Sequence, residues 1–199
     1  MSSIESETKA QFSKVFVPED WELFKRMADY YFEEAVRLKA KNIPAPLDLK
    51  LLIRNSRKRL LIGMGVEFLL KSYYLSKRYF INRQLIGVDQ PFPTTFNLEL
   101  IKNFSATDTV KLSQLIDLLP KHAELSDKSA EIKGLQIAKV FRNKEGHIVT
   151  RSHHYEASNY ADIEKSLILL YRDLFHEDLS LQFSVEKNEL PIWFLANAP

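Results

Sequence analysis

Between Leu60 and Leu75 the chain reads LLIGMGVEFLLKSYYL, with Glu67 and Lys71 as its only charged residues. Wound into a helix, such a block is apolar on every side and must lie at the centre of the fold. It is too short to cross a bilayer, which takes roughly 20 apolar residues, and no uncharged run elsewhere reaches that length. The block belongs to a longer helical stretch from Leu47 to about Asn82, read as one very long helix or as two joined near Asn55-Ser56. The first part of this stretch is basic, with Lys50, Arg54, Arg57, Lys58 and Arg59. Those residues form either a solvated helix face or a track for a phosphate backbone, whose binding would depend strongly on salt. Gly63 and Gly65 weaken the apolar helix, which points to a neighbouring helix packed closely against them.

A central helix needs cover, and four other helical runs can supply it. The first opens at Val17-Pro18-Glu19-Asp20, with proline and acids where a first turn favours them. Its apolar stripe is Trp21, Phe24, Ala28, Tyr31, Ala35 and Leu38, and it ends before Asn42-Ile43-Pro44. Asp29, Glu33 and Glu34 fall on its solvated face. Pro44-Ala45-Pro46 is a stiff link to the long helix. After a loop over 83–103, marked by Gly87, Pro91 and Pro93, Ser105 to Asp108 offer caps for a helix through Val110, Leu115, Ile116 and Leu119 that stops at Pro120. A polar connector over 121–129 exposes His122. Two further helices follow, Ile132 to Glu145 and Asn159 to Phe175, the last with the stripe Ile163, Leu167, Leu170 and Leu174. The tail changes period. Leu179, Leu181, Phe183 and Val185 alternate with polar residues as in a strand, Glu186 to Glu189 can turn, and Leu190 to Leu195 can return. A lone hairpin is marginal in water, so Trp193 and Phe194 must pack on the helices or on another subunit. The expected fold is all-α, a bundle of about five helices over 15–178, with a flexible arm over 1–14 and a small C-terminal β-hairpin within 179–199.

At 199 residues the chain is long enough for one good core and short for two. It has no cysteine, which excludes disulfides, thiolate catalysis and cysteine metal sites. A formal net charge of +2 permits RNA binding without arguing for it. Met1 to Lys14 is polar and mixed in charge, with no apolar signal core, so a cytoplasmic, membrane-free protein is expected. Tyr73, Tyr74 and Tyr79 could stack on bases, but aromatics at helical spacing belong more often to the core. His147, His153 and His154 stand close together, yet no His-Glu-x-x-His pattern or carboxylate at ligand spacing accompanies them. No metal or other cofactor is expected.

Two features carry chemistry. Arg142 lies close to the apolar stripe Ile132, Leu135, Ala138 and Phe141, where a permanent cation must find a carboxylate, a phosphate or carbonyls. Gly146 suits a helix end, and a turn there would let the His147 imidazole swing back toward the guanidinium. Glu67 is the odd residue of the apolar block. It pairs either with Lys71 one turn on, or, buried, with Arg142; burial without a partner would be costly.

Arg142-Asn143, three more residues and then His147, at the end of a helix, resemble the Arg-x4–6-His motif of the HEPN superfamily. Gly65 to Lys71 resemble that family's long early helix with a glutamate in an apolar run, and the helix order from about residue 20 to residue 176 is similar. The resemblance implies a HEPN-like bundle and a metal-independent endoribonuclease with two motifs at a homodimer interface. It also implies a toxin–antitoxin or anti-phage setting, with RNA as substrate and a possible antitoxin or nucleotidyltransferase partner. In the nucleotidyltransferase-linked subset a tyrosine follows the motif histidine by two residues. Here that position is Val149, which puts that mode of control in doubt.

The chemistry agrees with such a pair. The RNA 2′-OH can attack its own phosphorus and leave a 2′,3′-cyclic phosphate. The reaction then needs an imidazole to move protons and a guanidinium to stabilise the developing charge. On this reading Arg142 and His147 are catalytic, Asn143 and Glu67 support them, and Lys144, Arg151, His153, His154, Arg54 and Arg57 are possible substrate contacts. The competing reading is structural: Arg142 binds Glu67, His147 caps the helix end, and the protein is a non-catalytic binding or adaptor module.

Overall fold

The computed structural model describes residues 16–38, 49–79, 81, 109–145 and 157–183. These hold five α-helices and no strand: α1 (Trp21–Arg37), α2 (Leu49–Ser76), α3 (Leu112–His122), α4 (Lys128–Glu145) and α5 (Ala157–Leu170). The described part is all-α. No described helix is long and apolar enough to cross a membrane. The 1–14 arm, the Pro44–Pro46 link, the 83–103 loop, the caps Ser105–Asp108 and the turn and return strand of the hairpin lie outside the described residues.

The axis of the fold is α2, a single unbroken helix of 28 residues through Asn55-Ser56. Ile62, Val66, Leu69, Leu70, Tyr73, Tyr74 and Leu75 are all buried, as an apolar block in helical form requires. Helix α1, entered by a short 3-10 turn at Pro18–Asp20, runs antiparallel to α2. Phe24 meets Phe68 near one end, and Phe32 sits beside Gly65 further along, where a Cβ on residue 65 would lie 2.6 Å from the Phe32 ring. Phe32 is fully part of the core, although the sequence stripe runs through Tyr31. The tyrosines of α2 are likewise core: the Tyr73 hydroxyl donates to the His122 carbonyl at 2.6 Å and that of Tyr74 to the Leu115 carbonyl at 2.9 Å.

Two boundaries of α3 and the environment of His122 differ from expectation for identifiable reasons. Helix α3 begins at Leu112, because Thr109 and Val110 bridge back to the end of α2, with the Val110 N–H donating to the Ile81 carbonyl at 2.8 Å. Pro120 does not stop α3. The helix runs two residues further, to His122, since proline removes only its own N–H and the next turn is the last. His122 is not idle in solvent either: its half-buried ring packs on Tyr79 at 4.4 Å between centroids.

Helices α4 and α5 pack antiparallel at very close range. A Cβ on Gly134 would fall 2.7 Å from the Asp162 carbonyl oxygen and 2.8 Å from Ser166 Oγ. Helix α5 then widens into one π-turn, Tyr171–Phe175, closed by His176 at φ 57°. That turn holds α1 through the Tyr171 hydroxyl, which donates to Asp29, and through Lys25, whose ammonium also meets Glu177 at 2.7 Å. Asp29 is therefore a partnered residue at the edge of the solvated face, with its side chain 37% exposed. Beyond it, Leu179, Leu181 and Phe183 turn inward while Ser180 and Gln182 stay exposed. The alternation read from the tail is present there, without a strand partner among the described residues.

The start of α4 carries a carboxylate cluster. Asp127 accepts the Ala130 N–H at 3.0 Å, and its own N–H donates to Glu131 at 3.2 Å. Burial above all, then the charges of Asp173 and Asp127, pushes the Glu131 carboxyl up from its ordinary 4.5 to about 7, against that hydrogen bond. Glu164 on α5 is likewise pushed up to about 7 by burial, against the Phe183 N–H and the nearby Lys58 charge. A carboxyl raised in the folded state holds its proton between its unfolded and folded pKa, while the unfolded chain has lost it. Stability from these groups is therefore fully present below about pH 4.5 and is lost as pH rises to about 7. Asp127, held down first by the Ala130 N–H and then by Lys165, acts only at lower pH. Asp173 does the same: its desolvation is outweighed by Ser126 and Arg172. Thermal melts should give a Tm that falls between pH 5 and pH 7.5, by an amount equivalent to on the order of 2 kcal/mol for the buried Glu131. Glu131→Gln and Glu164→Gln should each flatten that slope.

Candidate functional site

The site is assembled where α4 crosses α2. Gly63 permits the crossing: a Cβ there would stand 2.6 Å from Arg142 Cβ, 2.8 Å from Arg142 N and 2.9 Å from the Ala138 carbonyl oxygen. Bringing the two backbones this close puts the Arg142 side chain over the next turn of α2, where Glu67 lies on the same face as Gly63. Glu67 Oε2 contacts Arg142 Nε directly, and Glu67 Oε1 receives Lys71 Nζ at 2.6 Å. Lys71 Nζ also donates to Thr109 Oγ1 at 2.7 Å, so the bridge between α2 and α3 closes the arrangement from the other side.

Both pairings considered for Glu67 therefore coexist, one on each carboxylate oxygen. The Glu67 and Lys71 side chains are 9% and 8% exposed, whereas Arg142 retains 38%. The Arg142 contact is one of charge: its Nε–H is not aligned on the carboxylate oxygen as a hydrogen bond. Two cations on one buried carboxylate leave a net positive charge, and the exposed share of that charge belongs to Arg142. Such a centre attracts anions, and its guanidinium suits phosphate.

No family model, no curated protein and no solved structure matches the chain. The site is accordingly read from its own chemistry.

The other residues singled out from the sequence divide into three groups. Asn143 and Lys144 are exposed beside Arg142 on the last described turn of α4. Arg57 is exposed and Arg54 half-buried, but they lie roughly 120° and 180° around α2 from Gly63, so neither faces the Arg142 side. His147, Arg151, His153 and His154, with Gly146, lie outside the described residues.

The basic stretch before the crossing is neither a wholly solvated face nor a continuous track. Lys58 is fully buried, with its ammonium 5.4 Å from the Tyr160 ring centroid and 5.7 Å from that of Phe183. Arg59 is buried too. A lysine stem is long and apolar, and aromatic faces accept its charge. Among the described residues no group of three His, Cys, Asp or Glu side chains is placed to hold a metal ion.

Thr109 is the participant that sequence reasoning missed. It reaches Lys71 from 38 positions further along the sequence, and no local spacing announces it. A polar residue just before an apolar helix, facing a lysine buried in another, is the only hint the sequence carries.

Proposed function

We propose that the chain is a HEPN-like, metal-independent RNA endonuclease that cuts through a composite site at the interface of two copies. Supporting the reading is Arg142, a partly exposed guanidinium fixed from behind by the buried Glu67 on the last turn of a bundle helix. Held through Nε, the side chain is pre-oriented for a phosphodiester, which lowers the entropy of engaging it. His147, five residues on, supplies the proton transfers. A second copy brings a second pair, so that one imidazole acts as base and the other as acid. RNA is the substrate, and an antitoxin protein is the partner that restrains it.

The test is cleavage of mixed cellular RNA in EDTA at a concentration where the protein is dimeric. Wild type should cut and leave 2′,3′-cyclic phosphate ends, and Arg142→Ala and His147→Ala should each lower the rate by about 100-fold or more. Helical circular dichroism should be unchanged in His147→Ala. Wild type that leaves the RNA intact overturns the reading.

One observation favours a second reading. The Glu67–Arg142 contact ties α2 to α4 and would serve a non-catalytic adaptor module equally well. An intact dimer that forms a stable complex with another protein and cuts no RNA would establish it.

A further inference from the structure

The outer face of α5, together with one residue of α4, forms a cleft of about 600 Å³. Ala161, Ile168 and Leu169 make it apolar, and Lys133, Asp162, Glu164 and Lys165 supply charges of both signs around it. Ile168 is 42% exposed, a large apolar side chain with no described partner covering it. The described chain leads directly to this face. The Phe183 N–H donates to Glu164 Oε1, and Glu164 also lines the cleft. The Phe183 side chain is buried against Lys58, so the backbone arrives anchored from both sides.

After Phe183 come SVEKNELPIWFLANAP, which contain Val185, Leu190, Ile192, Trp193, Phe194 and Leu195. Fully extended, these residues reach roughly 50 Å. The cleft residues on α5 span only about 16 Å of helix axis. Reach is ample. Leaving this much aromatic and aliphatic surface in water would be unfavourable, at about 25 cal/mol per Å². An unpartnered hairpin does not bury it. Both lysines of the cleft are already paired, Lys133 with Asp162 at 2.7 Å and Lys165 with Asp127 at 3.0 Å, so apolar surface is what the cleft offers an occupant.

We infer that this cleft is the seat of the chain's own C-terminal segment, 184–199, held at its start by the Glu164–Phe183 hydrogen bond and filled by Trp193 or Phe194. The seat lies on the α5 side of α4, and the inference does not depend on the nuclease reading.

The 199-residue chain has two tryptophans, so Trp21→Phe in it leaves Trp193 as the sole reporter. Its fluorescence should be blue-shifted from that of indole in water and poorly quenched by acrylamide. Ile168→Asp, a change at a partly exposed position, should red-shift the emission and raise quenching several-fold, with the helical circular dichroism retained. Phe194→Asp, which alters only the segment, should do the same. All signals should be constant over a hundredfold dilution. Emission typical of free indole in the parent, or no response to Ile168→Asp, overturns the inference. A blue shift that disappears on dilution assigns the seat to the segment of a second copy, and overturns it equally.

Discussion

Replacing Glu67 with alanine should destabilise the protein by about 3–5 kcal/mol, more than any other single truncation in the site. Glu67 is the one carboxylate shared by Lys71 and Arg142, and both it and Lys71 are nearly inaccessible. Without it, Lys71 keeps Thr109 alone as an acceptor among the described residues, and two cations face each other across the cavity. Lys71→Ala should cost less, since Glu67 would retain Arg142. Arg142→Ala should cost least, because that side chain is 38% exposed and its removal leaves the Glu67–Lys71 pair intact. Urea titrations that follow Cm at constant m would establish the order. The double variant Glu67→Met/Lys71→Met should recover most of the loss, because apolar groups of similar volume can replace a buried ion pair. A Glu67→Ala variant within about 1 kcal/mol of wild type would mean that water already reaches the carboxylate.

The same cluster shows what could and could not be read from sequence. The centre of the fold was legible because sixteen residues with two charges have only one place to go in a helical protein. Glu67 stood out for the same reason, and its cost of burial required partners without saying which of the two candidates would be taken. The answer was both, since a carboxylate has two oxygens and a helix crossing can serve one while its own helix serves the other. The fates of Lys58 and Arg59 were not legible. Within a basic run they resemble their exposed neighbours, and the rings of Tyr160 and Phe183 that enclose Lys58 come from distant parts of the sequence. The late start of α3 was hidden likewise, because the Val110–Ile81 hydrogen bond joins positions that no local pattern relates. Pro120 misled for a different reason: a proline near a helix end announces that end to within a turn, not to a residue.

The glycines of the crossing separate fold from site. Gly63→Ala should lower stability by about 1–3 kcal/mol through overpacking, even though alanine gains up to about 1 kcal/mol in helix propensity. Two of the three atoms that its Cβ would meet, Arg142 N and the Ala138 carbonyl oxygen, are backbone, so α4 itself must move. Gly134→Ala should be at least as destabilising, because it forces α4 from α5 against the Asp162 carbonyl. The two differ in where the shift falls. At Gly63 the displaced residue is Arg142, whereas Gly134 lies eight residues, roughly 12 Å of helix, before it. If the guanidinium positions a phosphodiester, a displacement of about 1 Å at Arg142 should reduce RNA cleavage on the order of 100-fold in Gly63→Ala. Gly134→Ala, assayed at a temperature where both variants are folded, should keep most of the activity. Equal losses in the two variants would tie cleavage to global stability and remove the Gly63 crossing from the mechanism. A selective loss in Gly63→Ala would show that the close approach of α4 to α2 sets the position of the reacting cation.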